Sequence, residues 1–338
     1  MKRRKFISRG VVGAMTTLLP TKMLAFSANT NQGSTNSLRF GMIADVHKDL
    51  MPDADFRLEQ FISEAQHREL DFIIQMGDFC HPIKENNRFL SLWQKYGGPK
   101  YHVLGNHDMD KGSKQQVCDF WGIEKPYYSF DKAGIHFIVL DANFLYKEGK
   151  FIDYEHSNFY VDSSYRTFIS PEQIEWVRSD IDATDNPVIV FSHQSLLHYF
   201  WGVKNRMTLQ EIFEEANRKA DFQKVIACFN GHDHIDFHRE INKIHYIEVN
   251  SASYQWISEA KSKERYPPEY YDKYPHLENM ATYKEPLFAF VTVDLNGTLQ
   301  IEGVQSEWMP PDPSAAGTPE QVFGSVYSPG ISDRIIRF

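Results

Sequence analysis

The sequence predicts an α/β layer fold. From Leu38 onward, short apolar runs of strand length alternate with segments whose apolar residues recur at helical spacing. Five of the runs are followed within three residues by the Asp, Asn or His of a polar motif, the kind of residue a sheet places at its strand ends when it carries a site. With 42% apolar residues in a chain of 338, there is enough material to bury a substantial core. Aromatic residues at 14% and charged residues at 24% exclude a disordered or low-complexity chain.

The elements follow in order. Arg39–Ala44 reads as a strand, and Asp53 as the cap of a helix whose inward face is Leu58, Phe61, Ile62 and Ala65. Phe72–Gln75 is a short buried strand, Asn86–Tyr96 a helix, Tyr101–Leu104 a strand and Ser113–Phe120 a short helix. Tyr127–Phe130 and Gly134–Leu140 form a β-pair. Ser170-Pro171 with Gln173 opens a helix facing inward through Ile174, Val177 and Ile181. Val188–Phe191 is a strand. Thr208 and Glu211 have the spacing of a capping box for a helix ending near Lys219. Lys224–Phe229, Ile235–Ile241, Lys243–Val249 and Leu287–Asp294 are strands, and Asn296-Gly297 turns the last into Leu299–Val304. Asn143–Phe168 and the Tyr-rich stretch 254–283 have no evident place in a sheet. Their aromatics cover the surface or, as a group, rim a pocket, and Arg166 is the one arginine in the first of them.

The residues before Leu38 differ in kind. Residues 1–27 carry six basic residues and no acid, with Arg3-Arg4-Lys5-Phe6-Ile7 ahead of a weakly apolar run and Ala25-Phe26-Ser27 as a cleavage site. The run is too short and too polar for a bilayer span, which needs about twenty apolar residues. The segment resembles a twin-arginine export signal, so an exported, periplasmic protein with no membrane span after its removal is expected. Residues 28–37 read as a linker, 38–305 as one catalytic domain and 306–338 as a C-terminal extension whose Ile335–Phe338 docks on the body. The formal charge is −9, and without residues 1–27 thirty basic against forty-five acidic residues leave −15. No basic stripe remains for nucleic acid, and a nuclease is disfavoured. Cys80, Cys118 and Cys228 show no zinc-finger spacing.

The strand ends carry Asp45-x-His47, Gly77-Asp78, Gly105-Asn106-His107-Asp108, Ser192-His193 and Gly231-His232-x-His234. Two carboxylates, one amide and four imidazoles exceed the needs of one tetrahedral ion and suit a bridged pair. In this order the motifs resemble the five signature motifs of the calcineurin-like metallophosphoesterases. The resemblance spans roughly Leu38 to Val304 and is specific for the superfamily, much less so for a substrate.

The resemblance implies a four-layer α/β/β/α sandwich and two divalent transition-metal ions, Mn, Fe or Zn. Asp45, His47 and His234 would hold one ion, Asn106, His193 and His232 the other, and Asp78 would bridge. It further implies hydrolysis of small-molecule phosphoesters, mono- or diesters, by a hydroxide held between the ions. His107 would serve the leaving oxygen or the phosphoryl group, and Asp108 would orient that imidazole. Phe79-Cys80-His81 departs from the Asp-Arg continuation of serine/threonine phosphatases. His47, and His81 in place of a ligating tyrosine, speak against the ferric site of purple acid phosphatases. His81 is either a supporting residue or an exposed one. A nucleotide pyrophosphatase is the nearest enzymatic alternative, and a non-catalytic exported binding protein the alternative of another class. Nothing in the sequence sets the oligomeric state.

Overall fold

The computed structural model describes residues 37–257, 262–315, 317, 321–322 and 325–338. The expected export signal, residues 1–27, and nearly all of the linker lie outside them. In chain order the elements begin with β1 (Ser37–Ile43), α1 (Ala54–Gln66), β2 (Phe72–Gln75), α2 (Asn87–Trp93), β3 (Lys100–His102) and α3 (Lys114–Trp121). Next come β4 (Tyr128–Lys132), β5 (Ile135–Val139), β6 (Phe144–Lys147), β7 (Lys150–Asp153), β8 (Arg166–Phe168), α4 (Pro171–Ala183) and β9 (Val188–Ser192). After α5 (Arg206–Lys219) run β10 (Val225–Asn230), β11 (Phe237–Ile241), β12 (Ile244–Glu248) and β13 (Tyr254–Trp256). The remainder is α6 (Pro268–Lys273), β14 (Met280–Thr282), β15 (Ala289–Asp294), β16 (Thr298–Gly303), β17 (Gln321–Val322), β18 (Ser325–Val326) and β19 (Arg334–Arg337).

Two six-stranded sheets result, in the orders β19-β16-β15-β1-β2-β3 and β11-β12-β10-β9-β5-β4. Alternation along each strand decides what lies on either face. Leu38, Phe40 and Met42 of β1 and Phe72 and Ile74 of β2 meet Phe137, Ile189, Phe191 and Phe229 of the other sheet. Phe40 stacks on Phe72 at 4.8 Å and meets Phe191 edge-on at 5.8 Å, geometries that suit the ring quadrupole. The outer face of the first sheet packs on α1, α2 and α3 through Ile73, Leu58, Phe61, Trp93 and Val117. That of the second packs on α4 and α5 through Val190, Cys228, Ile174, Val177 and Phe213. Helix, sheet, sheet, helix: this is the four-layer α/β/β/α sandwich.

Three expectations need correction. Asp53 precedes α1 but makes no cap bond, because both its oxygens accept from Arg57, at 3.0 and 2.8 Å. Thr208 and Glu211 do not open α5; the helix begins at Arg206 after Asn205, which places Thr208 inside it. Asn143–Phe168 does enter a sheet, the three-stranded antiparallel β7-β6-β8, and the stretch 254–283 supplies the antiparallel pair β13-β14, both separate from the two main sheets. Ser170 and Ser113 do cap, each accepting from the backbone N–H three residues on. Residues 334–337 return as an edge strand on β16, with Ile336 buried.

Candidate metal centre

Five loops leave adjacent parallel strands at their carboxyl ends: those after β1, β2 and β3 in one sheet and after β9 and β10 in the other. Backbone bonds join them, Asp45 N to Gly77 O at 3.1 Å, His47 N to Asp78 O at 2.9 Å and Gly231 N to His193 O at 2.9 Å. Such closeness needs glycine: a Cβ on Gly77, at φ +96°, would lie 2.5 Å from His193, and one on Gly105 2.1 Å from the Asp78 nitrogen. Asp45, His47, Asp78, His232 and His234 all take left-handed φ, between 50° and 68°. Residues with side chains pay for that conformation, and its concentration here marks a site held in shape by its surroundings.

The side chains converge as two triads. Asp45, His47 and His234 present ligand atoms within 4.8 Å of one another, and so do Asp78, His193 and His232. Asp78 reaches both, its Oδ2 lying 3.2 Å from His193 Nε2 and 3.7 Å from His47 Nε2. The tautomers are set from behind. His193 Nδ1 donates to Met76 O and His234 Nδ1 to Tyr254 O, each at 2.8 Å, because a carbonyl can only accept. In the neutral rings Nε2 is then a lone pair, yet His234 Nε2 lies 3.3 Å from Asp45 Oδ1 and His193 Nε2 3.2 Å from Asp78 Oδ2. Lone pairs facing carboxylate oxygens call for positive charge between them, so the donor set fits cations. Asn106 joins His232 on the cavity wall, its Oδ1 3.5 Å from Gln194 Nε2.

The electrostatics show the same demand for positive charge: burial would lower the His193 pKa, but Asp78 and Asp45 raise it to about 10, so a proton on Nε2 answers the carboxylates wherever a cation does not. Burial, reinforced by neighbouring imidazoles, takes His47 and His232 well below the usual histidine range and leaves them neutral. Burial would raise the Asp78 pKa, yet His193, His107 and His47 hold it well below the usual carboxylate range.

His107 borders the same cavity, but the partner expected for it is wrong. Asp108 does not touch the ring. It accepts four backbone N–H groups, from Asp78, Phe79, Cys80 and Gly105, at 2.7–3.1 Å, and ties the second and third loops together. Asp110 orients the imidazole, its Oδ2 accepting from His107 Nδ1 at 2.8 Å. The reason is the turn at His107–Met109: a residue three places on returns to the same side, the next residue does not. Burial opposes protonation of His107, and Asp78 with Asp110 outweighs it, raising the pKa. His81 is buried between Asp49 Oδ1, 3.3 Å away, and Asp110 Oδ2, 3.8 Å away, which makes it a supporting residue.

A cavity of about 580 Å³ opens from Asn106, His107 and His232. Its walls draw on both of the aromatic stretches expected to cover the surface or rim a pocket, with Tyr154, Phe159, Tyr160 and Arg166 from one and Gln255 and Trp256 from the other. Sequence reading missed Asp110, Gln194, Phe200, Trp201 and Lys204. The run Tyr199-Phe200-Trp201 shortly after Ser192-His193 was the one available signal for the last three. Beside the centre, Asp233 Oδ2 accepts from His198 Nδ1 at 2.7 Å and Ser195 Oγ donates to Glu248 at 2.5 Å, bracing the loop between His232 and His234. All three cysteines are free and buried.

A family model described as calcineurin-like phosphoesterase matches residues 38–236. A manganese-dependent ADP-ribose/CDP-alcohol diphosphatase of Arabidopsis thaliana is 24% identical over 209 residues, which cover 50% of this chain and 66% of that protein, just under two thirds. Its namesake in Oryza sativa subsp. japonica is 24% identical over 275 residues, covering 63% and 83%. Among solved structures, a dimetal phosphatase from Danio rerio superimposes with a TM-score of 0.56 at 15% identity, over 80% of this chain and 98% of that one. At that identity the likeness concerns the fold.

Proposed function

The chain belongs to the calcineurin-like phosphoesterase family, and on that premise we propose that Asp45, His47, Asp78, Asn106, His193, His232 and His234 hold two divalent transition-metal ions used to hydrolyse a phosphorus–oxygen bond of a small molecule. The observation that carries this reading is the convergence of His193 and His234, each with Nδ1 committed to a backbone carbonyl and Nε2 aimed at a carboxylate oxygen 3.2 or 3.3 Å away. Bound there, such ions supply Lewis acidity toward phosphoryl oxygens and a nucleophilic water near neutral pH.

The chain's own residues do the rest. Met76 O and Tyr254 O fix the rings of His193 and His234, so the ligand nitrogens need no reorganisation. Asp110 accepts the hydrogen bond of His107 Nδ1–H and, with Asp78, favours the doubly protonated ring, whose Nε2–H can donate to the phosphoryl group or the departing oxygen. Asp108 keeps the loops of Asp78 and His107 in register. The −15 charge left without residues 1–27 makes this local positive centre the attraction for a phosphate.

Phosphomonoesters and diesters are the first substrates to consider. A phosphoanhydride is the second, favoured by the two diphosphatases that resemble this chain. Purified protein loaded with Mn²⁺, Zn²⁺ or Fe²⁺ and offered p-nitrophenyl phosphate, its bis-ester and ADP-ribose should turn over at least one of them, with loss of activity on chelation. A metal-loaded protein inert to all three would favour the binding-protein reading instead, and turnover unchanged in His107→Asn would remove His107 from the mechanism.

We also propose export through the twin-arginine route, on the strength of Arg3-Arg4-Lys5-Phe6-Ile7 and the small residues near Ser27. Replacing Arg3 and Arg4 by Lys should retain the protein, uncleaved, in the cytoplasmic fraction. Unaltered processing would refute it.

A further inference from the structure

We infer that Arg166 and Lys204 form a second anion subsite, so that the substrate carries, besides the phosphorus under attack, another phosphate held away from the metal centre. The substrate class is then an organic diphosphate with a flat group, rather than a plain phosphomonoester. This rests on the hydrolase reading above and specifies what it acts on.

Both residues line the cavity that begins at Asn106, His107 and His232. They are held side by side: the Lys204 amide donates to Thr167 O at 2.9 Å, which fixes Lys204 against the residue following Arg166. Thr167 takes a left-handed φ of 70°, a rare conformation for a β-branched residue, so this juncture is maintained against local preference. Among the described residues neither cation has a carboxylate within 4.0 Å. Arg166 Nη1 donates to Phe159 O at 3.2 Å, and Lys204 Nζ to Tyr199 O and Phe200 O at 2.8 and 2.7 Å. These carbonyls orient the groups without neutralising them, and most of the guanidinium's five donors stay open to the cavity.

Two like charges placed together cost stability, and Lys204 registers it: burial, then Arg166 and Arg206, lower its pKa. Asp162 is near enough for Arg166, after hydrogen bonds from Ser164, to help lower its pKa, yet among the described residues it forms no ion pair with either cation. The arrangement makes sense once an anion completes it, and a planar guanidinium beside an ammonium suits phosphate oxygens. Size points the same way, since about 580 Å³ far exceeds one phosphoryl group and falls in the range of sites for nucleotide-sized ligands. Tyr160 and Phe200, exposed at 62% and 58%, offer ring faces on the cavity wall for a base or sugar.

The test compares Arg166→Met and Lys204→Met with the parent enzyme, manganese-loaded, on ADP-ribose and on p-nitrophenyl phosphate. Each variant should lose about thirtyfold in kcat/KM for ADP-ribose, chiefly through KM, as loss of a charge-assisted contact implies. Loss on p-nitrophenyl phosphate should be at least tenfold smaller. Arg166→Lys should restore part of the ADP-ribose activity, which a purely packing role would not. Calorimetric titration of the metal-free protein with ADP-ribose reads the subsite without turnover, and Kd should weaken by about tenfold in each variant. Equal losses on the two substrates, or unaltered affinity for ADP-ribose, overturn the subsite. A parent enzyme that binds ADP-ribose through these residues but hydrolyses nothing would leave the subsite standing and sink the hydrolase reading.

Discussion

Asp108 and Asp110 sit two residues apart around one turn, and their carboxylates serve opposite sides of it. Asp108 is a buried acceptor for four amides that have no other partner in the loops, whereas the Asp110 carboxylate meets only side chains, His107 at 2.8 Å, the Ser157 hydroxyl at 2.9 Å and His81 at 3.8 Å. Substitution should separate the two roles. Asp108→Ala should lower unfolding free energy by about 2–4 kcal/mol, since several buried N–H groups lose their acceptor, and should loosen the metal site. Asp110→Asn should leave denaturant stability close to that of the parent and lower kcat about tenfold, the usual scale for a group that orients a catalytic one. Urea unfolding and steady-state kinetics on the same preparations measure both; a shared pattern in the two variants would contradict the assignment.

Helix α1 shows how an element far from the chemistry supports it. Its Arg57 is fully buried and donates to both Asp53 oxygens, to Ala252 O at 3.0 Å and to Tyr283 O at 2.7 Å. Ser251 and Ser253 flank Ala252, and their hydroxyls donate to Asp45 O and Val46 O at 2.9 and 3.0 Å. The helix therefore buttresses the first ligand loop from behind, through the segment leading into β13. Arg57→Met keeps the apolar stem but strands two buried carbonyls and Asp53. A cost of about 2–4 kcal/mol is expected, read as an earlier denaturation midpoint with unchanged slope. Manganese affinity measured by competition with a chelating dye should fall in the same variant, because the Asp45 loop loses its backing.

At the scale of the whole molecule, the chain's last described segment finishes what β1 begins. β19 pairs with β16 at the edge of the first sheet, buries Ile336, and Arg334 forms an ion pair with Asp236 at 2.7 Å. Ser332 also donates to Asp236, two residues beyond His234, which ties this segment to the fifth ligand loop. Removing residues 334–338 should cost roughly 2–3 kcal/mol from Ile336 burial and lost packing. The apparent Tm should drop by about 5 °C in a scanning fluorescence measurement. A truncated chain as stable as the parent would show that the edge strand adds nothing to the sandwich.

What could be read from sequence was what is local. Asp45, His47, Asp78, Asn106, His193, His232 and His234 each follow a strand pattern at a short distance, so residue type and position already announced them, and apolar runs alternating with helical patterns announced an α/β layer fold. The four-layer sandwich was implied by the resemblance of the motifs. Contacts set by the path of a turn or by distant pairing were not legible. Asp110 rather than Asp108 meets His107 because of how one turn closes, and Asp53 turned to Arg57 instead of capping because a buried guanidinium outbids a helix end. Arg166 and Lys204, far apart in the chain, share a wall only through a backbone bond at Thr167. Composition fixes which groups must be buried or paired; only the folded backbone decides which partner each one finds.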